Sequence, residues 1–210
     1  MMYDLLIRLP LLGWVLFAVT LQFAVLVKSS STDPVYATHI GMQLSTIVFM
    51  MLMAAAVITR TRPTGKASGL EPRISAVVGT FLVYGITAFP RRCLPLSLDA
   101  VSASLTMIGN VAAIIALSQL GRSFSIMAES RRLVTTGPYR FVRHPLYLAE
   151  EIAMVGVFLQ FASPWTALLL AMQIAFQLRR MHNEELVLAA HFPDYTPYQR
   201  TTARLIPGVY

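Results

Sequence analysis

The chain has 210 residues, of which 56% are hydrophobic and only 13% are charged, and its mean hydropathy is +0.61. Soluble domains carry about 25% charged residues, so this composition excludes an ordinary soluble protein and indicates a membrane protein. The formal charge of +7 fits the accumulation of Lys and Arg in cytoplasmic loops. We therefore expect membrane lipids, and no nucleic acid, among its partners.

The length and the single cysteine restrict the architecture further. A helix needs about 20 residues to cross a bilayer, which leaves room for five or six membrane-spanning helices. The predicted fold class is therefore all-α, a polytopic membrane helical bundle. Cys93 is the only cysteine, so an intrachain disulfide and a cysteine-built metal site are excluded. We expect no metal, and we interpret the first apolar run as a retained span because no cleavage-site pattern follows it.

Four apolar runs occupy the first part of the chain. They cover Pro10–Val27, His39–Ile58, Ile74–Phe89 and about Leu98–Leu120. The segment from Lys28 to Pro34 is predicted as a loop, and the Pro- and Gly-containing segment from Thr59 to Arg73, with four basic residues, as an exposed basic loop. Gly109 and Asn110 lie within the fourth run, where they predict a close helix contact and an interhelical hydrogen bond.

The second part of the chain predicts a helical hairpin between two polar segments. A basic, turn-rich loop covers Gly121 to Pro145 and precedes two short apolar runs, Leu146–Phe161 and Trp165–Leu178. The runs are near the lower length limit for a span and turn at Ala162-Ser163-Pro164. From Arg179 onward a charged helix continues directly out of the second run.

The basic residues predict the orientation of the bundle. With six crossings, fourteen Lys and Arg residues lie on one side of the membrane and only three, Lys28, Arg91 and Arg92, on the other. Basic residues concentrate on the cytoplasmic side. We therefore expect both termini, the 121–145 loop and the charged helix to be cytoplasmic, in a protein of the bacterial inner membrane.

Two features of the cytoplasmic side point to chemistry. Arg180 and Glu184 are four residues apart on a predicted helix, so they share a face; they form either a surface ion pair or part of a polar site where the last span ends. His144 precedes Pro145, which is suited to open a helix. His144 is then either a simple cap or loop residue, or a group beside free backbone N–H groups that can meet a ligand.

Taken together, these motifs resemble the isoprenylcysteine carboxyl methyltransferase family. The resemblance covers about residues 117–207 and rests on L-V-T-T-G-P-Y-R-F-V-R-H-P-L-Y at 133–147, the hairpin, R-x-x-x-E-E from Arg180, and F-P-x-Y-x-x-Y followed by R-L-I-P. It implies an integral membrane methyltransferase that uses S-adenosylmethionine and a lipophilic methyl acceptor. Residues 1–120 would then form acceptor- and lipid-facing helices, and 121–210 the catalytic region with a cytoplasmic cofactor pocket.

The resemblance also implies roles for individual residues. Glu184 would be the acid that contacts the cofactor, and Arg180 the residue that meets the methyl acceptor, which makes these two the candidate catalytic residues. The other residues that would line the cofactor site are Leu133, Val134, Tyr139, His144, Pro145, Leu146 and Tyr147, with Arg131 and Arg132 at its edge.

Glu150 and Glu151 depart from the pattern of the family, which has small or apolar residues there. We expect one to face the membrane interface and the other to pair with Arg143 or Arg179; alternatively, they widen the polar pocket or favour a cationic acceptor. The default acceptor is the carboxylate of a prenylated cysteine, and the alternative is a phospholipid amine. A non-catalytic membrane scaffold or transporter and a nicotinamide-dependent membrane reductase remain further hypotheses.

Overall fold

The computed structural model describes residues 2–28 and 35–208. The predicted loop between the first two helices lies almost wholly outside these residues. Seven α-helices are described: α1 (Met2–Lys28), α2 (Tyr36–Thr59), α3 (Glu71–Phe81), α4 (Leu96–Leu120), α5 (Pro145–Phe161), α6 (Pro164–His191) and α7 (Tyr195–Thr201). The all-α fold class is confirmed.

Three of these helices are long and apolar enough to cross a membrane. Within the described residues, the qualifying segments are Leu9–Lys28, Tyr36–Thr59 and Leu96–Ser123. Helix α5 has only 17 residues, and α6 combines an apolar first part with a charged second part. The presence of membrane-spanning helices is thus confirmed, while five or six crossings remain a prediction.

Small residues bring α4 and α5 into close contact. A Cβ atom added at Gly109 would lie 2.4 Å from the backbone nitrogen of Ala153, and one added at Gly156 would lie 2.6 Å from the carbonyl oxygen of Ser102. Helices in membranes often pack at such small residues. Asn110 donates a hydrogen bond of 2.8 Å to Thr46 of α2. The predicted close contact and interhelical hydrogen bond are both confirmed.

The third apolar run departs from the prediction of one helix over Ile74–Phe89. Helix α3 begins earlier, at Glu71, because Pro72 suits the first turn of a helix. It ends at Phe81, and Leu82–Ala88 continue as a 3₁₀ helix. Since a 3₁₀ helix rises about 2.0 Å per residue, this segment reaches further than seven residues of α-helix would.

The segment 59–73 is not simply an exposed loop, and that expectation was wrong in part. Strand β1 (Gly65–Lys66) pairs antiparallel with β2 (Glu129–Ser130), and the backbone nitrogen of Thr64 donates to the carbonyl oxygen of Ser130 at 2.7 Å. The composition of the segment could not predict this pairing, because the paired residues are more than sixty positions apart in the sequence. We call the paired segment, residues 64–67, the strap because it ties the α2–α3 connection to the 121–145 loop.

The C-terminal hairpin forms as predicted. Ser163 caps α6 in a reciprocal arrangement with Thr166, which stabilises the helix start. Helix α6 then runs without a break from the apolar run through Arg180 and Glu184 to His191. The apolar run and the charged motif therefore share one rigid element.

Candidate active site

A pocket opens at the end of the bundle where α2 and α4 end; we call this the pocket end. The 121–145 loop, the start of α5, the second half of α6 and α7 surround it. Of the predicted cofactor residues, those that line it are Arg131, Arg132, Leu133, Val134, Tyr139, His144, Leu146, Tyr147 and Glu184. Pro145, the buried first residue of α5, and Arg180 are not among the residues that line the pocket.

Tyr147, Arg180 and Glu184 form one connected group across the α5–α6 hairpin. The Tyr147 hydroxyl donates a hydrogen bond to Oε1 of Glu184, and Nε of Arg180 donates to the same oxygen at 3.2 Å. The Arg180 guanidinium carbon also lies 4.7 Å from the centroid of the Tyr147 ring, within the range of a cation–π contact. The four-residue spacing of Arg180 and Glu184 thus produces the shared face that the sequence predicts.

Arg180 is held firmly by groups from three parts of the chain. Besides its bond to Glu184, it donates to the Thr80 hydroxyl at 3.0 Å and to the Ser125 carbonyl oxygen at 3.3 Å. Its side chain is only 4% exposed. A surface ion pair is therefore excluded as a description of Arg180, because a guanidinium so deeply buried must be held by fixed partners.

Glu185, the second acid of the E-E pair, is the buried centre of a cluster of ion pairs. The resemblance implied no role for this residue. It accepts hydrogen bonds from Arg143 Nε at 2.9 Å, from His144 Nε2 at 3.1 Å and from Arg204. Burial alone would raise the pKa of the Glu185 carboxyl, but the hydrogen bonds from His144 and Arg204 and the neighbouring charges outweigh it and lower this pKa to about 2. In the sequence, only the E-E doublet and the R-L-I-P motif that begins at Arg204 pointed to this cluster.

The C-terminal tail, residues 202–208, also changes the interpretation of His144. We expected His144 to lie beside free backbone N–H groups at the helix start. Its own backbone N–H donates to the carbonyl oxygen of Arg204 at 3.1 Å, and that of Arg143 donates to the carbonyl oxygen of Ala203 at 2.8 Å. His144 does stand at the N-cap of α5, as predicted. Its own N–H is not available, because the tail crosses the entrance to the helix.

Two buried tyrosine hydroxyls in the pocket wall lack a hydrogen-bond partner. Tyr139 is 6% exposed and Tyr195 is 1% exposed, and neither hydroxyl oxygen has a partner within the part of the chain that the structure describes. Burial, followed by the nearby Glu184 charge, raises the pKa of Tyr139 well above its ordinary value, so its hydroxyl remains a donor. Unsatisfied buried donors are costly, which suits a wall that contacts a polar ligand.

Arg131 and Arg132 lie at the pocket rim and contact the protein itself. Arg131 forms an ion pair with Glu129 and donates to the Thr61 carbonyl oxygen at 2.7 Å. Arg132 donates to the Gln119 carbonyl oxygen at 3.4 Å. Lys66 of the strap also lies 3.5 Å from Glu129. Glu129 and Arg131 therefore connect the strap to the pocket wall.

Neither Glu150 nor Glu151 pairs with Arg143 or Arg179, so that expectation was wrong. Glu150 accepts a hydrogen bond of 3.0 Å from Gln177, and Glu151 accepts one of 3.0 Å from Gln173. Both glutamines belong to α6, and each is 2% exposed. The two carboxylates thus face the interior of the hairpin, because α6 offers buried amides opposite them while both arginines are engaged elsewhere.

Comparison with known proteins agrees with this geometry. Residues 98–195 match the model of the phospholipid methyltransferase family. The structure of the eukaryotic intramembrane Ras methyltransferase ICMT, an isoprenylcysteine carboxyl methyltransferase, superimposes with a TM-score of 0.50 at 18% identity, covering 83% of this chain and 74% of that one. The fold of this chain is therefore similar to that of this membrane methyltransferase. The resemblance inferred from the motifs is confirmed, and the structural likeness covers more of the chain than the motifs do.

Two bacterial relatives are similar to part of this chain. The nickel-cobalt-cadmium resistance protein NccN of Alcaligenes xylosoxydans is 30% identical over 112 residues, which are 51% of this chain and 52% of the relative. The cobalt-zinc-cadmium resistance protein CzcN of Cupriavidus metallidurans is 31% identical over 98 residues, 44% of this chain and 45% of the relative. The chain thus spans about half the length of the curated relatives it matches.

Proposed function

We propose that this integral membrane protein is an S-adenosylmethionine-dependent methyltransferase that acts on a lipophilic acceptor. The observation that carries the proposal is the connected Tyr147–Glu184–Arg180 group at a pocket of an ICMT-like fold. These three residues come from the two helices of the hairpin, so their relative positions depend on its packing. Such fixed positions are what a reaction governed by alignment requires.

The pocket residues fit the chemical groups of the cofactor. Glu184 offers a carboxylate for an ammonium or a ribose hydroxyl, and Tyr139 and Tyr195 offer the two hydroxyls that lack protein partners. Tyr147 and His144 stack at 5.4 Å between ring centroids and present aromatic surface. When bound, S-adenosylmethionine supplies a methyl group on a sulfonium. The protein's part is to aim an acceptor at that methyl and to keep water out.

The pocket must widen to admit the cofactor. Its cavity measures about 100 Å³, whereas pockets for small molecules usually measure roughly 300–1,000 Å³. The wall most suited to move is the 121–145 loop, which the strap holds through β1–β2 pairing and through Lys66 and Glu129. We infer that the strap and this loop shift together when the cofactor enters.

The default acceptor, by the ICMT likeness, is the carboxylate of a prenylated cysteine. Arg180 would hold it, and Arg is suited to a two-pronged contact with a carboxylate. Each of its three nitrogens already makes a hydrogen bond within the protein, so only its remaining N–H groups could serve an acceptor.

A phospholipid amine is the second candidate acceptor, and Glu150 favours it. Glu150 lies one helical turn beyond Tyr147 on α5 and close enough to Glu184 and Arg180 for their charges to act on it. Together with Glu151, these side chains place three carboxylates and one guanidinium in the hairpin interior. An ammonium headgroup would pair with these carboxylates and favour their charged form. The match to the phospholipid methyltransferase family supports the same candidate.

The location and the orientation of the protein are proposed on separate grounds. We propose the bacterial inner membrane as the location, supported by the bacterial origin of the two relatives, and cytoplasmic termini, supported by the distribution of basic residues. The names of those relatives concern resistance to metal ions, and we propose no metal site for this chain.

The decisive experiment is to measure ligand binding and methyl transfer on the same purified protein. Isothermal titration with S-adenosylmethionine, with its demethylated product and with a nicotinamide nucleotide separates a methyltransferase from a reductase and from a scaffold. Incubation with radiolabelled methyl donor and membrane lipid extract, followed by identification of the labelled product, then names the acceptor. If the protein binds neither S-adenosylmethionine nor its demethylated product, the proposal is overturned.

A further inference from the structure

A second pocket lies at the opposite end of the bundle, where α1 ends and α2 and α4 begin. Its cavity measures about 460 Å³, larger than the one at the pocket end. The described residues that line it include Lys28, His39, Gln43, Arg91, Arg92 and Asp99. None of them belongs to the C-terminal motifs, so the methyltransferase proposal leaves this pocket unexplained.

The basic residues of this pocket are the notable feature. With six crossings, this side of the membrane carries only three Lys and Arg residues, and all three, Lys28, Arg91 and Arg92, line the pocket. More than sixty residues separate Lys28 from the other two. Basic residues are sparse on the outer side of membrane proteins, so their meeting at one pocket indicates a common anionic partner.

The carboxylate in the pocket balances only part of this charge. Asp99 lies 3.1 Å from His39 and 3.4 Å from Arg91. Among the described residues that line the pocket, one carboxylate faces three cations, which is an excess of two positive charges when His39 is neutral.

A buried amide adds an independent observation. Gln43 is 5% exposed, and its Oε1 atom has no hydrogen-bond partner within the part of the chain that the structure describes. A buried unpaired acceptor costs free energy, and this one belongs to the pocket lining. It calls for a donor such as a hydroxyl. A phosphate beside hydroxyl groups satisfies both the cations and this amide.

We propose that this pocket, which is separate from the site of methyl transfer, binds the phosphate-bearing headgroup of an anionic lipid such as phosphatidylglycerol. Lys28, Arg91 and Arg92 contact the phosphate, and Gln43 accepts a hydrogen bond from a headgroup hydroxyl. Val25 and Leu94 provide the apolar part of the lining, along which the acyl chains enter the membrane. A soluble glycerol phosphate shares the headgroup chemistry but lacks the chains.

Cys93 allows a local test, because it is exposed, lines the pocket and is the only cysteine. A local reporter is needed since anionic lipid also meets the many basic residues at the pocket end. Protein in neutral detergent is labelled at Cys93 with an environment-sensitive fluorophore and titrated with phosphatidylglycerol, phosphatidylcholine or glycerol phosphate. We expect a saturable spectral change with phosphatidylglycerol, at mole fractions where phosphatidylcholine produces none.

Variants of the basic residues provide the second half of the test. Arg91→Gln combined with Arg92→Gln should raise the half-saturating lipid fraction about tenfold or more, since each basic residue contributes to anionic-lipid binding. Arg92→Gln alone leaves the contacts of Asp99 in place and serves if the double variant does not fold. Arg73→Gln, an exposed residue of α3, is the matched control and should match the unaltered protein.

Three results would overturn the proposal. They are equal responses to the two lipids, an unchanged response in the variant lacking both arginines, and an equal loss in the Arg73→Gln control. A response to glycerol phosphate without one to phosphatidylglycerol would keep the phosphate chemistry but exclude a membrane lipid as its source. Thermal shifts of the unlabelled protein with each lipid check that the fluorophore itself does not create the site.

Discussion

Nε2 of His144 lies 3.1 Å from Oε1 of Glu185, and this contact joins the start of α5 to the charged half of α6. Both side chains are buried, at 6% and 4% exposure. The same carboxylate holds Arg143 and Arg204, so the 121–145 loop, the hairpin and the tail meet at one group. Glu184 faces the pocket, and its neighbour Glu185 holds the surrounding wall together.

We predict that Glu185→Gln lowers the free energy of unfolding by about 3 kcal/mol, because it leaves buried cations without their counter-charge. Thermal unfolding in detergent measures the change. Glu71→Gln is the control: Glu71 pairs with Arg179, but both side chains are about half exposed, so loss of this ion pair should cost little. Glutamine also keeps an oxygen that can accept the hydrogen bond from Asn183. Equal effects of the two substitutions would contradict a central role for Glu185.

The Glu185 cluster should also make stability depend on acid pH. The pKa of Glu185 is about 2 in the folded protein, below its ordinary value of 4.5. Its contribution is therefore fully present above about pH 4.5 and is lost as the pH falls toward 2. The groups that face the carboxylate are Arg143, His144 and Arg204. Unfolding temperatures at pH 6, 4 and 3 should fall more steeply for the unaltered protein than for Glu185→Gln; parallel curves would contradict this.

Tyr147 and Glu184 should both contribute to cofactor affinity. Tyr147→Phe removes the hydroxyl that holds Glu184 and retains the ring, while Glu184→Ala removes the carboxylate. Each should weaken S-adenosylmethionine binding by about 1–3 kcal/mol, the range for a lost buried polar contact. Titration calorimetry measures this, with Tyr36→Phe at the other end of the bundle as control. Unchanged affinity in both variants would remove these residues from the site.

Arg180→Lys should separate the acceptor from the cofactor. Lysine keeps the charge near Glu184 but cannot reproduce the planar contacts to Thr80 and Ser125. We expect nearly unchanged cofactor affinity and a fall in methyl transfer of about a hundredfold, which corresponds to roughly 2.7 kcal/mol. Both quantities are measured on one preparation. Normal turnover would leave Arg180 a purely structural residue.

The orientation of the bundle can be tested through Cys93, which is exposed near the start of α4. Both termini are predicted to be cytoplasmic, so Cys93 should face outward. A membrane-impermeant thiol reagent added to intact cells should modify it, and Cys93→Ser is the control for background labelling. Modification only after the cells are broken open would point to the reverse orientation.

The sequence by itself determined the helices and the outline of the site. Long apolar runs, the turn at Ala162-Ser163-Pro164 and the small residue Gly109 predict helices, a hairpin and a close helix contact. These features can be read from short stretches because helices form from contacts three and four residues apart. The same periodicity places Arg180 and Glu184 on one face. For this reason the hairpin, the close α4–α5 contact and the shared face all agree with prediction.

Only the tertiary structure decided which charges meet. Glu185 could have paired with many cations, and its choice of Arg143, His144 and Arg204 depends on the tail crossing the start of α5. In the strap, Lys66 pairs with Glu129. Glu150 and Glu151 accept hydrogen bonds from amides of α6. No short sequence pattern predicts either set of contacts. Side chains brought together from distant segments are selected by packing and by the cost of burying an unpaired charge, which no short stretch of sequence contains.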